Sequence, residues 1–366
     1  MQQSIDIVIP SFRLDEDILE GIFTLIKPET YLVQYFLIAD NPLVDISASL
    51  AKSIEENNVR LIINPFNLGF SKTRNKGIDA GIGDWILLLD DDIVPSKDLL
   101  ISYTEALKEF PECLGLAGST QFPEPFNSVT KALSINGSVG HFAATRRGEA
   151  ISWTPTANVL LNRKKLAERR FRHELVNGGE DIELLFRNSV ENTQKYITVP
   201  EAKVLHPWWN KGKSQLNRMF RYGKGIGDIM DLPYQKNYTF YDFTSTTETL
   251  FILILLTPVI IALNGNITFL LVVAIIVCIA EILTNIIRCK RLSRKISLPL
   301  ALQMLLHKNA FEAGIFSQVM STGKISFLFK RLDVSFNKPH PEHFRLNRWK
   351  IIKLMIIGIL MGVYLS

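Results

Sequence analysis

The chain is predicted to be an α/β protein built on a parallel sheet with crossover helices, followed by a C-terminal group of apolar transmembrane helices. Three observations predict this. Short apolar strand patterns alternate with helical ones through the first 110 residues, polar and acidic residues gather where those strands end, and the composition turns abruptly apolar at Leu250.

The strands are expected at residues 5–10, 33–39, 60–63 and 85–89, each an apolar run bounded by polar turns. Continuous apolar runs suit strands buried on both faces, and ligands of such sheets bind beyond the carboxyl ends of the strands. Strand one ends at Pro10 and Ser11, strand two at Asp40, strand three at Asn64, and strand four at Asp90, Asp91 and Asp92. Four strand ends are therefore expected to converge on one cleft.

The membrane region is expected over residues 241–366, with a hairpin at 245–287, a basic cytosolic or interfacial segment at 288–350 and a short anchor at 351–366. Residues 267–287 have the ~20 apolar positions a spanning helix needs. The segment before Asn264 reaches that length only if residues 244–249 are included. Pro258 does not exclude it, because neighbouring groups in membrane proteins re-satisfy a broken helix. The basic cluster at residues 288–295 belongs on the cytosolic side by the excess of Lys and Arg found there. Residues 298–330, with His307, Lys308, Glu312 and Lys324, are too polar to span and read either as an interfacial helix or as a buried soluble one.

The net charge of +5 divides unevenly: residues 245–366 hold 14 Lys and Arg against 5 Asp and Glu, and the rest of the chain is slightly acidic. Positive charge beside apolar segments fits an anionic membrane surface rather than nucleic acid. Cys113, Cys278 and Cys289 are too few and too scattered for a disulfide framework, which points to a reducing compartment. The N-terminus has neither the basic start nor the apolar run of a signal peptide. These features predict a multi-pass protein of the cell membrane with its first 240 residues in the cytosol.

The motif WILLLDDD, residues 85–92, ends an apolar strand in three carboxylates. Crowded carboxylates raise each other's pKa, a cost that a hard divalent cation relieves. In an extended strand tip Asp90 and Asp92 share a side, which makes them the metal-holding pair, and Asp91 faces elsewhere. An acidic cap on the following turn is the bland alternative. After strand three, NPFNLGFSKTRNKG places Asn67, Gly69, Lys72, Arg74 and Asn75 about a helix start, suited to an anion although not spaced as a P-loop. NGGEDIELLFR, residues 177–187, joins a glycine pair to Glu180 and Asp181, either of which would supply a general base. His206 in KVLHPWW is a candidate imidazole ligand. His141, His173 and His307 have no evident partners, and His340 with His343 reads as a solvated loop.

In order and spacing, IDIVIPSFR, FNLGFSKTRNKGI, WILLLDDD, GGEDIELLFR and VLHPWW resemble the inverting GT-A glycosyltransferases, family 2 above all, over residues 4–230. The resemblance implies a nucleotide-diphospho-sugar transferase fold with a Rossmann-like mixed sheet in residues 1–240. It implies donor contacts at Pro10, Ser11, Arg13, Asp40, Asn67, Gly69, Arg74, Asn75, Asp90, Asp91 and Arg218. It places Mn2+ or Mg2+ on Asp90, Asp92 and His206, and catalysis on Asp181 with Glu180 beside it. The expected partners are a nucleotide sugar, uridine diphosphate being the family's commonest carrier, and a membrane lipid or lipid-linked acceptor. Processive polysaccharide synthases of this family carry Gln-x-x-Arg-Trp, whereas this chain has Gln215-Leu-Asn-Arg218-Met219, which speaks against processive extrusion. The remaining alternative is a membrane scaffold with a degenerate transferase domain.

Overall fold

The computed structural model describes residues 2–147, 150–339 and 343–366. His340 lies outside the described residues. The chain forms two compact units, one of Met1–Glu124 and Val139–Lys211, the other of Pro125–Ser138 and Gly212–Ser366. The division at Gly212 comes earlier in the chain than residue 240, where the catalytic part was expected to end.

The chain opens with β1 (Gln3–Ser11), α1 (Glu16–Phe23), β2 (Tyr31–Ala39), α2 (Ala48–Glu56), β3 (Val59–Ile63), α3 (Phe70–Ala80) and β4 (Trp85–Leu89). The short β5 (Val94–Pro95), α4 (Leu99–Glu109), β6 (Gly115–Gln121) and α5 (Ser128–Asn136) follow. Then come β7 (Asn158–Asn162), α6 (Arg163–Leu166), α7 (Glu180–Glu191) and β8 (Ile197–Leu205). The eight strands form one sheet in the order β3-β2-β1-β4-β7-β6-β8-β5. The four predicted strands are parallel neighbours, and every residue of β4 is buried, as a central strand of apolar run requires. The sheet is mixed because β7 runs antiparallel to both β4 and β6.

Local chemistry starts the helices where the strands let go. Asp15 and Ser47 cap α1 and α2 by accepting from backbone N–H groups of the first turn. Gly69 precedes α3 at φ 77°, a left-handed conformation that favours glycine. Crossover helices on a parallel sheet leave the carboxyl ends of β1, β2, β3 and β4 at one edge of the unit. The second half adds the ends of β6 and β8, paired at Gln121 and Leu205, with the His206 N–H donating to the Gln121 carbonyl.

The second unit holds α5, α8 (Leu216–Ile229), β9 (Thr239–Tyr241), α9 (Thr246–Ala262), α10 (Ile267–Ser293), α11 (Leu298–Ser321), β10 (Lys330–Leu332) and α12 (Arg348–Leu365). Helices α8 and α11 touch backbone to backbone: a Cβ on Gly314 would stand 2.0 Å from the Phe220 carbonyl oxygen, and one on Gly223 2.0 Å from that of Phe311. Residues 298–321 thus form a helix packed against protein along one side. Among the described residues one helix, α10, is long and apolar enough to cross a membrane; α9 has 17 residues and falls short of that test. The expected set of several spanning helices therefore reduces to one that qualifies by length and composition, since three basic residues interrupt α12. Cys289 is buried against Leu300 and Met304, and all three cysteines are free.

Candidate active site

Burial and hydrogen bonding set each strand-end residue in place. Asp40, 6% exposed at the end of β2, accepts from the side chain of Asn64 at 2.8 Å, from Leu68 N at 2.7 Å and from Gly69 N at 2.9 Å. Asn64 also meets Thr73 and Lys76, and the Asn67 side chain accepts from the same Gly69 N–H. Asp40 therefore ties the loop that leads into α3. At the end of β1, Ser11 donates to Asp91 at 2.7 Å and accepts from Leu14 N at 3.0 Å. Half-exposed Arg13 reaches Asp91 at 2.7 Å and Asp92 at 3.3 Å. Pro10, at the tip of the same strand, is half-buried.

The three acidic residues after β4 have three different sets of partners. Asp90 is paired with Arg74 at 2.9 Å, Asp91 with Ser11 and Arg13, and Asp92 with Arg13 and His206. One ligand atom each from Asp90, Asp92 and His206 lies within 4.8 Å of the other two. Burial raises the Asp92 carboxyl above the usual carboxylate range against the pull of His206, and the charge of Asp90 pushes the same way.

His206 is almost wholly buried, with its Nδ1 2.8 Å from the Pro207 carbonyl oxygen and its Nε2 3.3 Å from Asp92 Oδ1. A carbonyl oxygen only accepts, so Nδ1 carries the proton and, in the neutral ring, Nε2 presents its lone pair toward Asp92. Two acceptors face each other there, an arrangement relieved by a proton or a cation between them. The donor set of two carboxylates and an imidazole, with the far ring nitrogen held by a carbonyl, suits a divalent cation.

An aromatic wall fixes that ring. Phe122 stacks on His206 at 5.0 Å, with Phe142 and Trp209 set edge-on and Trp208 packed against Phe122. Trp208 is held by its indole N–H to the Pro123 carbonyl at 3.0 Å. His141, for which the sequence suggests no partner, stacks on Trp153 at 5.6 Å, and burial pushes its pKa down to about 4. The sequence signal for this wall is the Phe after β6, which pairing of β6 with β8 brings beside His206.

Gly178 and Gly179, at φ 112° and 88°, turn the chain into α7. Glu180 is buried and bonded to Arg74 at 3.0 Å, so the 8%-exposed Arg74 bridges Glu180 and Asp90. Burial raises the Glu180 carboxyl, opposed by that guanidinium. The Asp181 carboxylate accepts from Ile182 N at 2.8 Å, and burial together with the charge of Glu180 pushes its pKa up to about 7. Glu183 belongs to a separate staple with Arg172 and Arg187.

Three residues expected at the donor have protein partners of their own. The Asn75 amide exchanges two hydrogen bonds with the backbone of Phe171, clamping the loop before α7. Arg74 is committed to two carboxylates. Arg218 lies on α8 in the second unit, bonded to Gln215 at 3.2 Å and to the Tyr222 hydroxyl at 3.1 Å.

Residues 6–168 match the family model for glycosyl transferase family 2. No curated protein matches the chain. Among solved structures, TarS of S. aureus is 12% identical with a TM-score of 0.42, the match covering 64% of this chain and 45% of that one. The mannosyltransferase PcManGT of Pyrobaculum calidifontis, solved in complex with GDP-Man and Mn2+, is 10% identical with a TM-score of 0.46, covering 98% of this chain and 86% of that one. A TarS fragment of residues 1–349 in complex with UDP is 10% identical with a TM-score of 0.44, covering 94% of this chain and all of that one. The chain thus spans less than half the length of full TarS. The matched segment, residues 6–168, lies on the mixed α/β sheet of the first unit.

Proposed function

We propose that this chain, with its family 2 glycosyltransferase domain at residues 6–168, transfers one sugar from a nucleoside diphosphate donor to an acceptor hydroxyl, with inversion and with help from a divalent metal. The observation that carries the reading is the cluster of Asp90, Asp92 and His206 at the strand ends, with ligand atoms within 4.8 Å of one another. In this reading those three residues hold the cation, which when bound would neutralise charge on the departing diphosphate.

The chain's own residues do the rest. Asp181 takes the proton from the acceptor hydroxyl, a role that suits a carboxyl raised to about 7, since a base is most useful with its pKa near the working pH. Glu180 is the poorer base because Arg74 holds its oxygen at 3.0 Å, and the pair instead keeps Arg74 between the metal site and α7. Ser11 and Arg13 fix Asp91 and steady the acidic turn, and Asp40 shapes the loop at Asn67 and Gly69 against which a nucleotide can lie. With acceptor and donor held in line, rate comes from positioning and preorganised charge. Inversion follows from a base acting on the face opposite the leaving group.

The membrane belongs to the same proposal. Helix α10 anchors the enzyme, its exposed basic end lies on the cytosolic side, and the acceptor is a lipid or lipid-linked saccharide presented on that surface. Uridine diphosphate is proposed as the carrier. A thermal-shift screen of nucleotide sugars with Mn2+ or Mg2+ tests the donor side: one donor should stabilise the protein only with metal present. Absence of any metal-dependent shift across uridine, guanosine, cytidine and thymidine diphosphate sugars would contradict it.

A further inference from the structure

Burial in α9 and α12 is inside out. The buried residues of α9 are Thr246 and Glu248, and the buried residue of α12 is Lys353. The apolar side chains of the same helices, among them Ile254, Val259, Ile261, Met355, Ile359 and Val363, are exposed. In water such helices would hide their apolar faces; hydrocarbon as solvent reverses the preference, and polar groups then turn inward to find one another.

They do find one another. Glu281 of α10 accepts from Lys353 of α12 at 2.7 Å, from Thr246 of α9 at 3.0 Å and from Lys308 of α11 at 2.8 Å. Lys353 also donates to Thr246 Oγ1 at 2.8 Å and to the Thr244 carbonyl at 2.6 Å, and Lys308 bridges to Glu312 at 2.9 Å. Four helices are tied at one level. From there α9 runs to the turn at Asn264 and Gly265, α10 starts back from Ile267, and α12 ends near it, with Tyr364 6.3 Å from Phe269. At 1.5 Å per residue the 14 residues of α10 before Glu281 extend about 21 Å, more than one leaflet of a ~30 Å hydrocarbon layer. On the other side of Glu281, the same helix and the turn after it expose Lys290, Arg291, Arg294 and Lys295, the charge that anionic headgroups attract.

We infer that α9, α10 and α12 together form one lipid-embedded bundle, seated in a bilayer with anionic headgroups, and that the Glu281–Lys353–Lys308–Thr246 network locks α12 into it and marks where the bundle leaves the hydrocarbon. The occupant of the exposed faces is thus acyl chain rather than a second copy of the protein. The inference rests on and deepens the membrane part of the proposed function, which names α10 alone, by adding α9, α12 and the polar network that ties them to it.

The test needs no turnover, so its outcome is independent of the transferase reading. In full-length chain with Cys113→Ser, Cys278→Ala and Cys289→Ala, single cysteines are placed by Val259→Cys, Ile275→Cys, Val363→Cys and Leu292→Cys. The protein is reconstituted into mixed phosphatidylcholine–phosphatidylglycerol vesicles and treated with a membrane-impermeant maleimide. The first three positions should lose labelling relative to the detergent-denatured protein, while Leu292→Cys keeps it. Labelling of Val259→Cys and Val363→Cys equal to that of Leu292→Cys overturns the inference, as does protection that coincides with disulfide crosslinking between copies. Adding Lys353→Met should restore labelling at Val363→Cys and leave Val259→Cys protected, with Lys353→Arg returning the original pattern. An unchanged pattern in Lys353→Met refutes the lock.

Discussion

At Asp181, burial and the neighbouring Glu180 push the carboxyl up to about 7, and the sign of the pH dependence follows. Only the ionised form accepts the acceptor's proton, so kcat should fall as pH drops through about 7 and level off above it, a limb that a rate profile would reveal. General-base assistance is typically worth ~10²–10⁴-fold, so Asp181→Asn should lower kcat by about that factor with donor binding retained and the limb abolished. Near-normal transfer by Asp181→Asn, or a larger loss in Glu180→Gln, would shift the base to the other carboxyl. Within the acidic turn, Asp92→Asn should cost more activity than Asp91→Asn, because Asp92 faces His206 at 3.3 Å and Asp91 is turned to Ser11 and Arg13. Equal losses on the same assay would refute that division. The carboxylates were legible as an acidic end to an apolar strand, but Asp91 and Asp92 stand in a turn rather than an extended tip, so it is their partners and not strand alternation that separates them. The commitment of Arg74 to Glu180, and of Asn75 to Phe171, was not legible, since both contacts join segments about 100 residues apart that only the folded sheet brings together.

Strand and helix ends carry the next set of expectations. Asp40 supplies acceptors to three donors where β2 meets the loop into α3, and leaving buried donors without partners costs ~1–3 kcal/mol each. Asp40→Ala should therefore lower Tm by several degrees and loosen the loop at Asn67 and Gly69; a Tm within error of the parent would remove Asp40 from that structural role. Gly314→Val places a side chain where the Phe220 carbonyl oxygen would be 2.0 Å from Cβ, so α8 and α11 should separate and the second unit should become protease-sensitive. Resistance equal to the parent would contradict the close packing. The strands β1 to β4 could be read to within about two residues because each is a buried apolar run ending in a polar turn, whose physics is local. The reversal at β7 was invisible, since antiparallel pairing with both β4 and β6 depends on partners more than 40 positions away.

On the scale of the whole molecule, the two compact units correspond to two kinds of environment, one built around a buried sheet and one around helices with exposed apolar faces. Composition revealed that contrast, because the abrupt apolar stretch at Leu250 needs no tertiary knowledge. It did not reveal that α8 belongs with the C-terminal helices, because that depends on backbone contact at Gly223 and Gly314. Nor did it reveal the Phe122 and Phe142 side of the aromatic wall around His206, which comes from more than 60 positions upstream. All of the chemistry proposed here runs through one metal-assisted displacement at Asp90, Asp92, His206 and Asp181. The most direct measurement is nucleoside diphosphate release from the donor by the full-length chain in lipid vesicles, followed with Mn2+, with chelator, and with chelator then excess Mn2+. The account predicts release with metal, none with chelator, recovery on re-addition, and no recovery in Asp92→Asn. Full release in chelator, or an Asp92→Asn variant that responds to Mn2+ as the parent does, would contradict it.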